Sequence, residues 1–261
     1  MELNKCYCAD NLKLLKQIND NSIDLIYSDI LYGTGKKFKD YQDLKAEKKV
    51  IEDFYISRIE EMYRVLKKTG SIYLQMDYRI NHWIRNIMDE VFRYENFRNE
   101  IVWIYSGGTS PKKDFGKKHD VILRYTKSDI YTFNAVFEDY AKSTVSRYNK
   151  IDEQGKKYKI TYFKGKEHKA YMKQGKQVDD VWNISKTSDQ KDKYAFIYNS
   201  QKPLALMDRI IKSSSNECDI LGDFFMGGGS FLVKAKELNR QYIGCDINPK
   251  ALELTNLRLT S

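Results

Sequence analysis

The sequence predicts an α/β protein built on a doubly wound sheet, and three observations lead there. Short β-branched runs alternate with amphipathic helical stretches over residues 1–134 and again over 196–261. Three glycines, Gly227 to Gly229, turn a strand pattern into a helix pattern. An acid, Asp246, closes the next strand pattern, "QYIGCD". Strand–helix–strand alternation of this kind implies a parallel sheet covered on both faces.

Each element has its own signal. "DNLKLLKQI" has helical spacing, with Leu12, Leu15 and Ile18 on one face, and "SIDLIYS" is a short β-branched strand. "FYISRIEEMYRVLKK" is an amphipathic helix that Thr69-Gly70 should end, followed by a strand over "SIYLQMD", residues 71–77. A helix is expected over 80–92 and a strand over "EIVWIYS". Two more strands, "DVILRYTKS" and "IYTFN", should follow with a turn between them. From 135 to 195 the pattern dissolves into polar, basic sequence in which "KITYF" alone reads clearly as a strand. "PLALMDRIIKSSS" is a helix opened by Pro203 at its first position, with Leu204, Met207 and Ile211 on one face. The remainder reads strand, glycine turn, helix, strand, acid, helix.

Composition narrows the function. The chain of 261 residues can bury a core without disulfide or metal staples. Its four cysteines and three histidines form no zinc pattern, so no metal is expected and the thiols are expected reduced in the cytoplasm. No run approaches the roughly 18 apolar residues of a membrane span. Net charge is +9, and residues 141–180 hold eleven Lys/Arg against five Asp/Glu, interleaved with Tyr148, Tyr158, Tyr162, Phe163 and Tyr171. Basic residues that neutralise phosphates beside flat rings make a nucleic-acid footprint.

Two stretches carry chemistry. The glycine turn lets backbone approach a ligand, the helix behind it offers unsatisfied N–H groups, and Asp246 can accept hydrogen bonds from both hydroxyls of a ribose. That combination suits a nucleoside-containing cofactor, NAD or S-adenosylmethionine. The second stretch is "YSDILYGTGKK", residues 27–37. Asp29 at the end of a strand can accept one hydrogen of an exocyclic amino group, and the Ile30 carbonyl can accept the other. Tyr32 can stack on the base that carries it. Such a base must first leave its duplex.

Together these stretches resemble the amino-group DNA methyltransferases of the β order, in which the catalytic motif precedes the cofactor motif. The resemblance covers nearly the whole chain: "CYCADNLKLL", "SDILY", "HDVILRYTKS", "VDDVW", "YNSQKPLALMDRIIKSSS" and "DFFMGGGS" occur in that order. It implies a Rossmann-like S-adenosylmethionine-dependent methyltransferase sheet with circularly permuted motifs. Residues 1–134 would be its catalytic half, 135–195 a target-recognition insertion and 196–261 its cofactor-binding half. Asp29, Ile30, Leu31 and Tyr32 would be catalytic. Asp10, Asp29, Asn199, Lys202, Asp223, Phe225, Gly227, Gly229, Ser230 and Asp246 would bind S-adenosylmethionine. Double-stranded DNA is the implied substrate, at adenine N6 because the motif opens with Asp. Restriction–modification, with a cognate endonuclease, is the family's usual setting, and its members often pair as homodimers.

The chain departs from the family pattern where Asp-Pro-Pro-Tyr is usual and Ile30-Leu31 stand instead of the prolines, which removes two fixed φ angles. Phe224 stands where Pro is favoured, and Ser230-Phe231 replace two threonines. N4-cytosine methylation, a catalytically impaired DNA- or cofactor-binding relative, RNA methylation and an NAD oxidoreductase are the competing readings.

Overall fold

The computed structural model describes residues 2–38, 42–105, 111–186 and 201–260. Along the chain run β1 (Lys5–Cys8), α1 (Asn11–Leu15), β2 (Ile23–Asp29), α2 (Lys48–Val65), β3 (Leu66–Met76), α3 (Asn81–Phe92), β4 (Phe97–Ile104) and β5 (His119–Thr126). Then come β6 (Phe137–Glu138), α4 (Lys142–Val145), β7 (Lys150–Ile151), β8 (Lys157–Phe163), β9 (Lys166–Tyr171) and β10 (Lys176–Gln177). The chain closes with β11 (Val181–Asn183), α5 (Leu204–Ser214), β12 (Ile220–Asp223), α6 (Ser230–Glu237), β13 (Gln241–Asp246) and α7 (Pro249–Thr260).

The chain forms two compact units, residues 1–134 with 180–261, and residues 135–179. The first holds an eight-stranded sheet of order β1-β13-β12-β2-β3-β5-β4-β11. Its central strands are buried on both faces, as in β3, where Gly70 to Met76 are all buried. β1, β13, β12, β2 and β3 run parallel, so their carboxyl ends share one edge of the sheet. β5 runs antiparallel to β3 and β4, which makes the sheet mixed instead of all-parallel. β4 leads into its antiparallel neighbour β5 without a crossover helix among the described residues. Because β5 runs backwards, it begins at the edge where the parallel strands end.

Three local expectations need correction. α2 stops at Val65 and not at Thr69-Gly70. Its last carbonyls find other partners: Asn21 and Ser22 N–H donate to the Arg64 and Val65 carbonyls, and the Lys127 ammonium to those of Arg64 and Leu66. Gly70 lies within β3, where a Cβ would come 2.9 Å from the Asp24 carbonyl oxygen. "IYTFN" is not a strand: Asn134 instead caps the end of α5, its amide bonding to the Lys212 and Ser215 carbonyls at 3.1 Å each. Pro203 is the N-cap of α5, and the first helical residue is Leu204.

The second unit contains more regular structure than its composition suggests. β7, β8 and β9 form an antiparallel sheet, and β6 pairs with β10. Lys164 and Gly165 make the β8–β9 turn with φ of +49° and +73°, the left-handed pair that a two-residue hairpin needs. Tyr162 and Phe163 remain largely exposed on β8. No helix among the described residues is long and apolar enough to cross a membrane.

Candidate active site

The shared carboxyl edge of the sheet gathers the acids. Asp29 ends β2, Asp223 ends β12, Asp246 ends β13, and Asp10 follows β1. A cavity of about 780 Å³ opens there, large enough for a nucleoside-bearing ligand. Asp10, Phe225, Gly227 and Asp246 line one end of it, and Asp29 to Tyr32 with Lys202 line the other.

At the β2 end, hydrogen bonds fix each residue of the turn. The Ile30 N–H donates to the Gln75 carbonyl at 3.1 Å, and Tyr55 donates its hydroxyl to the Leu31 carbonyl at 3.2 Å. The Ile30 side chain is buried in the core. Its carbonyl accepts no hydrogen bond among the described residues. Tyr32 donates its hydroxyl within 2.8 Å of Asp29 Oδ1, and the Lys202 ammonium pairs with Asp29 Oδ2. Burial holds the Asp29 carboxyl above the usual carboxylate range, Lys202 and Tyr32 pull it back down, and the charge of Asp120 adds to the rise. Past Tyr32, buried Asp43 secures the loop by accepting from the Gly33 and Thr34 N–H groups at 3.1 and 2.8 Å.

At the other end the glycine turn lies beside Asp10, Phe225 and Asp246. Gly227 and Gly229 have φ of +48° and +71°. A Cβ on Gly229 would lie 2.4 Å from Thr255 Cγ2, so α7 packs directly against the turn. Asp246 accepts from the Gly227 N–H at 3.0 Å and from the Asn248 N–H at 2.9 Å, and burial raises its pKa. Asp10 caps α1 through the Lys13 N–H and pairs with Arg58 at 2.8 Å. Asp223 is fully enclosed, with its pKa pushed well up by burial, and accepts from the Phe225 N–H. Asp223 and Ser230 line a smaller recess that shares Asp29, Lys202 and Gly227 with the main cavity. Gly229 lines neither space and acts through the turn itself. Asn199 lies outside the described residues.

Sequence reading missed Asp120 and Lys186 here, together with the Asp120 partners Gln75 and Tyr105. Asp120, at the start of β5, is 3% exposed and accepts from Tyr32, Gln75 and Tyr105. Lys186 lies 3.4 Å over the Tyr105 ring and lines the cavity, with burial lowering its pKa. The one available signal was an acid opening the apolar run "HDVILRYT", which places a charge at a strand end. Among the described residues no group of His, Cys, Asp and Glu could hold a metal ion.

Comparison with known proteins adds to this geometry. A family model described as DNA methylase, of the N6/N4 type, matches residues 23–257. The Type II methyltransferase M.HpaI of Haemophilus parainfluenzae is 32% identical over 255 residues, covering 97% of this chain and 73% of that protein. The DNA adenine methyltransferase YhdJ of Escherichia coli (strain K12) is 32% identical over 253 residues, covering 96% and 81%. Among solved structures, the cytosine-N4-specific PvuII DNA methyltransferase matches with a TM-score of 0.67 at 16% identity, over 99% of this chain and 86% of that one. The M1.HpyAVI–SAM complex matches with a TM-score of 0.59 at 18% identity, over 98% and 99%. These two likenesses show the fold, a mixed α/β methyltransferase sheet.

Proposed function

The chain belongs to the DNA methylase family, and from that membership we propose that it methylates the N6 amino group of an adenine flipped out of double-stranded DNA, with S-adenosylmethionine as donor. The observation that carries this reading is a half-buried acid beside a carbonyl that accepts no hydrogen bond among the described residues. Asp29 and Ile30 both line the cavity, and the carboxylate and the Ile30 carbonyl together can take both hydrogens of one amino group. Engaging both turns the nitrogen lone pair out of conjugation with the ring. An ionised carboxylate also stabilises the positive charge that develops on that nitrogen. Its two oxygens offer about four acceptor positions, so the bonds from Lys202 and Tyr32 leave room for the base.

The residues present fit S-adenosylmethionine. Asp246 is already oriented by two backbone N–H groups, and the turn before α6 has no room for a Cβ at Gly229. In this reading Asp246 accepts ribose hydroxyls, Asp10 and Phe225 lie toward the adenine, and Lys202 with the 227–230 turn flanks the methionine end. The cofactor supplies an electrophilic methyl group. Adenine is preferred because the motif opens with Asp, and the relative named for adenine supports it. The β order is supported by Asp29–Tyr32 preceding the glycine turn, and a restriction–modification role by the Type II relatives. Residues 135–195 would recognise the target, with some of their lysines on phosphates and a few side chains on base edges.

The test is transfer of labelled methyl from S-adenosylmethionine to unmodified DNA, followed by digestion to nucleosides. Label is expected in N6-methyladenine, with at least about a 10³-fold loss for Asp29→Ala and DNA binding retained. Label in N4-methylcytosine would correct the target. DNA and cofactor binding without label would overturn the catalytic reading.

A further inference from the structure

Ile30 and Leu31 have no ring to fix their φ angles, so the turn after β2 depends on its hydrogen bonds. One of these has an unusual form. The Tyr32 hydroxyl lies 2.8 Å from Asp29 Oδ1 and 2.9 Å from Asp120 Oδ2, so its one hydrogen is shared between the half-buried Asp29 and the buried Asp120, while its oxygen accepts from Gln75 Nε2 at 3.3 Å. Asp120 is itself fixed from two further sides. Gln75 Nε2 donates to its Oδ2 at 3.0 Å, and Tyr105 donates to its Oδ1 at 2.9 Å. Gln75 is locked in turn, its Oε1 accepting from the Tyr27 hydroxyl at 2.8 Å. Gln75 sits opposite Asp29 in the sheet register, and its carbonyl holds the Ile30 N–H. The network thus runs from a strand of opposite direction, through one phenol, to the acid that faces the base.

We propose that Asp120 is a positioning residue for methyl transfer, fixing the Tyr32 ring through its hydroxyl and, through that hydroxyl, the plane of the Asp29 carboxylate. The inference rests on the reading of this site as an amino-group methyltransferase. Rotation of the Tyr32 phenol removes one of the bonds that orient Asp29. The carboxylate must then find its direction toward an amino hydrogen from Lys202 alone, a flexible point charge. Misplacement by an ångström costs about a hundredfold in rate.

The experiment compares Asp120→Ala, Asp120→Asn, Tyr32→Phe and the Asp120→Ala/Tyr32→Phe pair in the full chain. Two readouts are taken: steady-state methylation of DNA, and NMR of ¹³Cζ-labelled tyrosine with the Tyr32 resonance assigned from Tyr32→Phe. Asp120→Ala is expected to lower kcat about a hundredfold while the KM values for DNA and S-adenosylmethionine change by less than about threefold. Asp120→Asn, which keeps its shape and can still bond the phenol, should recover about tenfold of that loss. On the Tyr32→Phe background Asp120→Ala should add almost nothing, because both changes cut the same link. The Tyr32 resonance should move in Asp120→Ala and hold in Asp120→Asn. A loss confined to KM, an equal kcat loss with Tyr32 already replaced, or an unmoved resonance would each overturn the proposal. A wild type that transfers no methyl to DNA would overturn the underlying reading, while the resonance still decides whether Asp120 holds Tyr32.

Discussion

The two ends of the cavity are built from different materials. After β12 the ligand-facing surface includes Phe224, Phe225, Gly227 of the glycine turn and Asp246, and that acid is held by backbone N–H groups. After β2 it is formed by four separate stretches of sequence, Asp29 to Tyr32, Tyr105, Asp120 and Lys202, with buried Gln75 bonded to Asp120. At the first end an added Cβ on Gly229 has no room. At the second, Ile30 and Leu31 stand where prolines would stiffen the turn, and hydrogen bonds from Gln75 and Tyr55 hold their backbone.

The sharpest way to break that contrast is to add one carbon at the backbone-built end. Gly229→Ala would place a Cβ 2.4 Å from Cγ2 and 2.5 Å from Oγ1 of Thr255, at a φ of +71°. Thr255 is fully buried and bonds the Gly227 carbonyl, so it has little room to yield. Overpacking together with a left-handed non-glycine residue should destabilise the fold by about 2–4 kcal/mol. Urea unfolding measures this directly. An unchanged midpoint would show that the turn is not the rigid half of the site.

A smaller effect is expected from the acid at that same end. Asp246→Asn keeps one acceptor oxygen but not two, so either a backbone N–H or a ribose hydroxyl loses its partner. Bonds to an ionised group contribute about 1.5–3 kcal/mol, which corresponds to a cofactor Kd raised roughly tenfold or more. Calorimetric titration with S-adenosylmethionine would show it. An unaltered Kd would place the cofactor's hydroxyls elsewhere.

The contrast also explains what could be read from the sequence. Gly227 to Gly229 and Asp246 were legible because their physics is local: a turn needs a positive φ, and an acid at a strand end needs only its own strand. The place of Asp29 and Tyr32 at a strand's carboxyl end was legible for the same reason, whereas their catalytic reading came from the family resemblance. Asp120 was not, since its bond to Tyr32 spans 88 residues and depends on β5 running antiparallel. Lys202 was tied by motif to the methionine end of a cofactor, yet its ion pair with Asp29 comes from tertiary packing. The end of α2 misled for a related reason. Thr69-Gly70 looks like a helix stop, but Lys127 and the Asn21–Ser22 backbone had already taken the last carbonyls. In the second unit, "KEHKAY" forms β9 with mostly charged and polar residues, so its strand character comes from the Lys164-Gly165 turn and pairing with β8, not from a hydrophobic pattern.

Lys202 gives the finest test, because it changes the charge balance at the side-chain-built end without removing a group that faces the base. In the proposed reaction, methyl transfer needs Asp29 ionised. Burial raises its pKa, so activity should fall on acidification through a point above the ordinary carboxylate value of about 4. The Lys202 ammonium opposes that rise by favouring the charged carboxylate. Lys202→Gln removes the opposing charge, so the acid limb of the single-turnover pH–rate profile should move to higher pH. The plateau at high pH, where Asp29 is ionised in either protein, should fall less than the rate at the acid end. A limb that stays in place would mean the Tyr32 and Asp120 network, and not the Lys202 charge, sets the ionisation of Asp29.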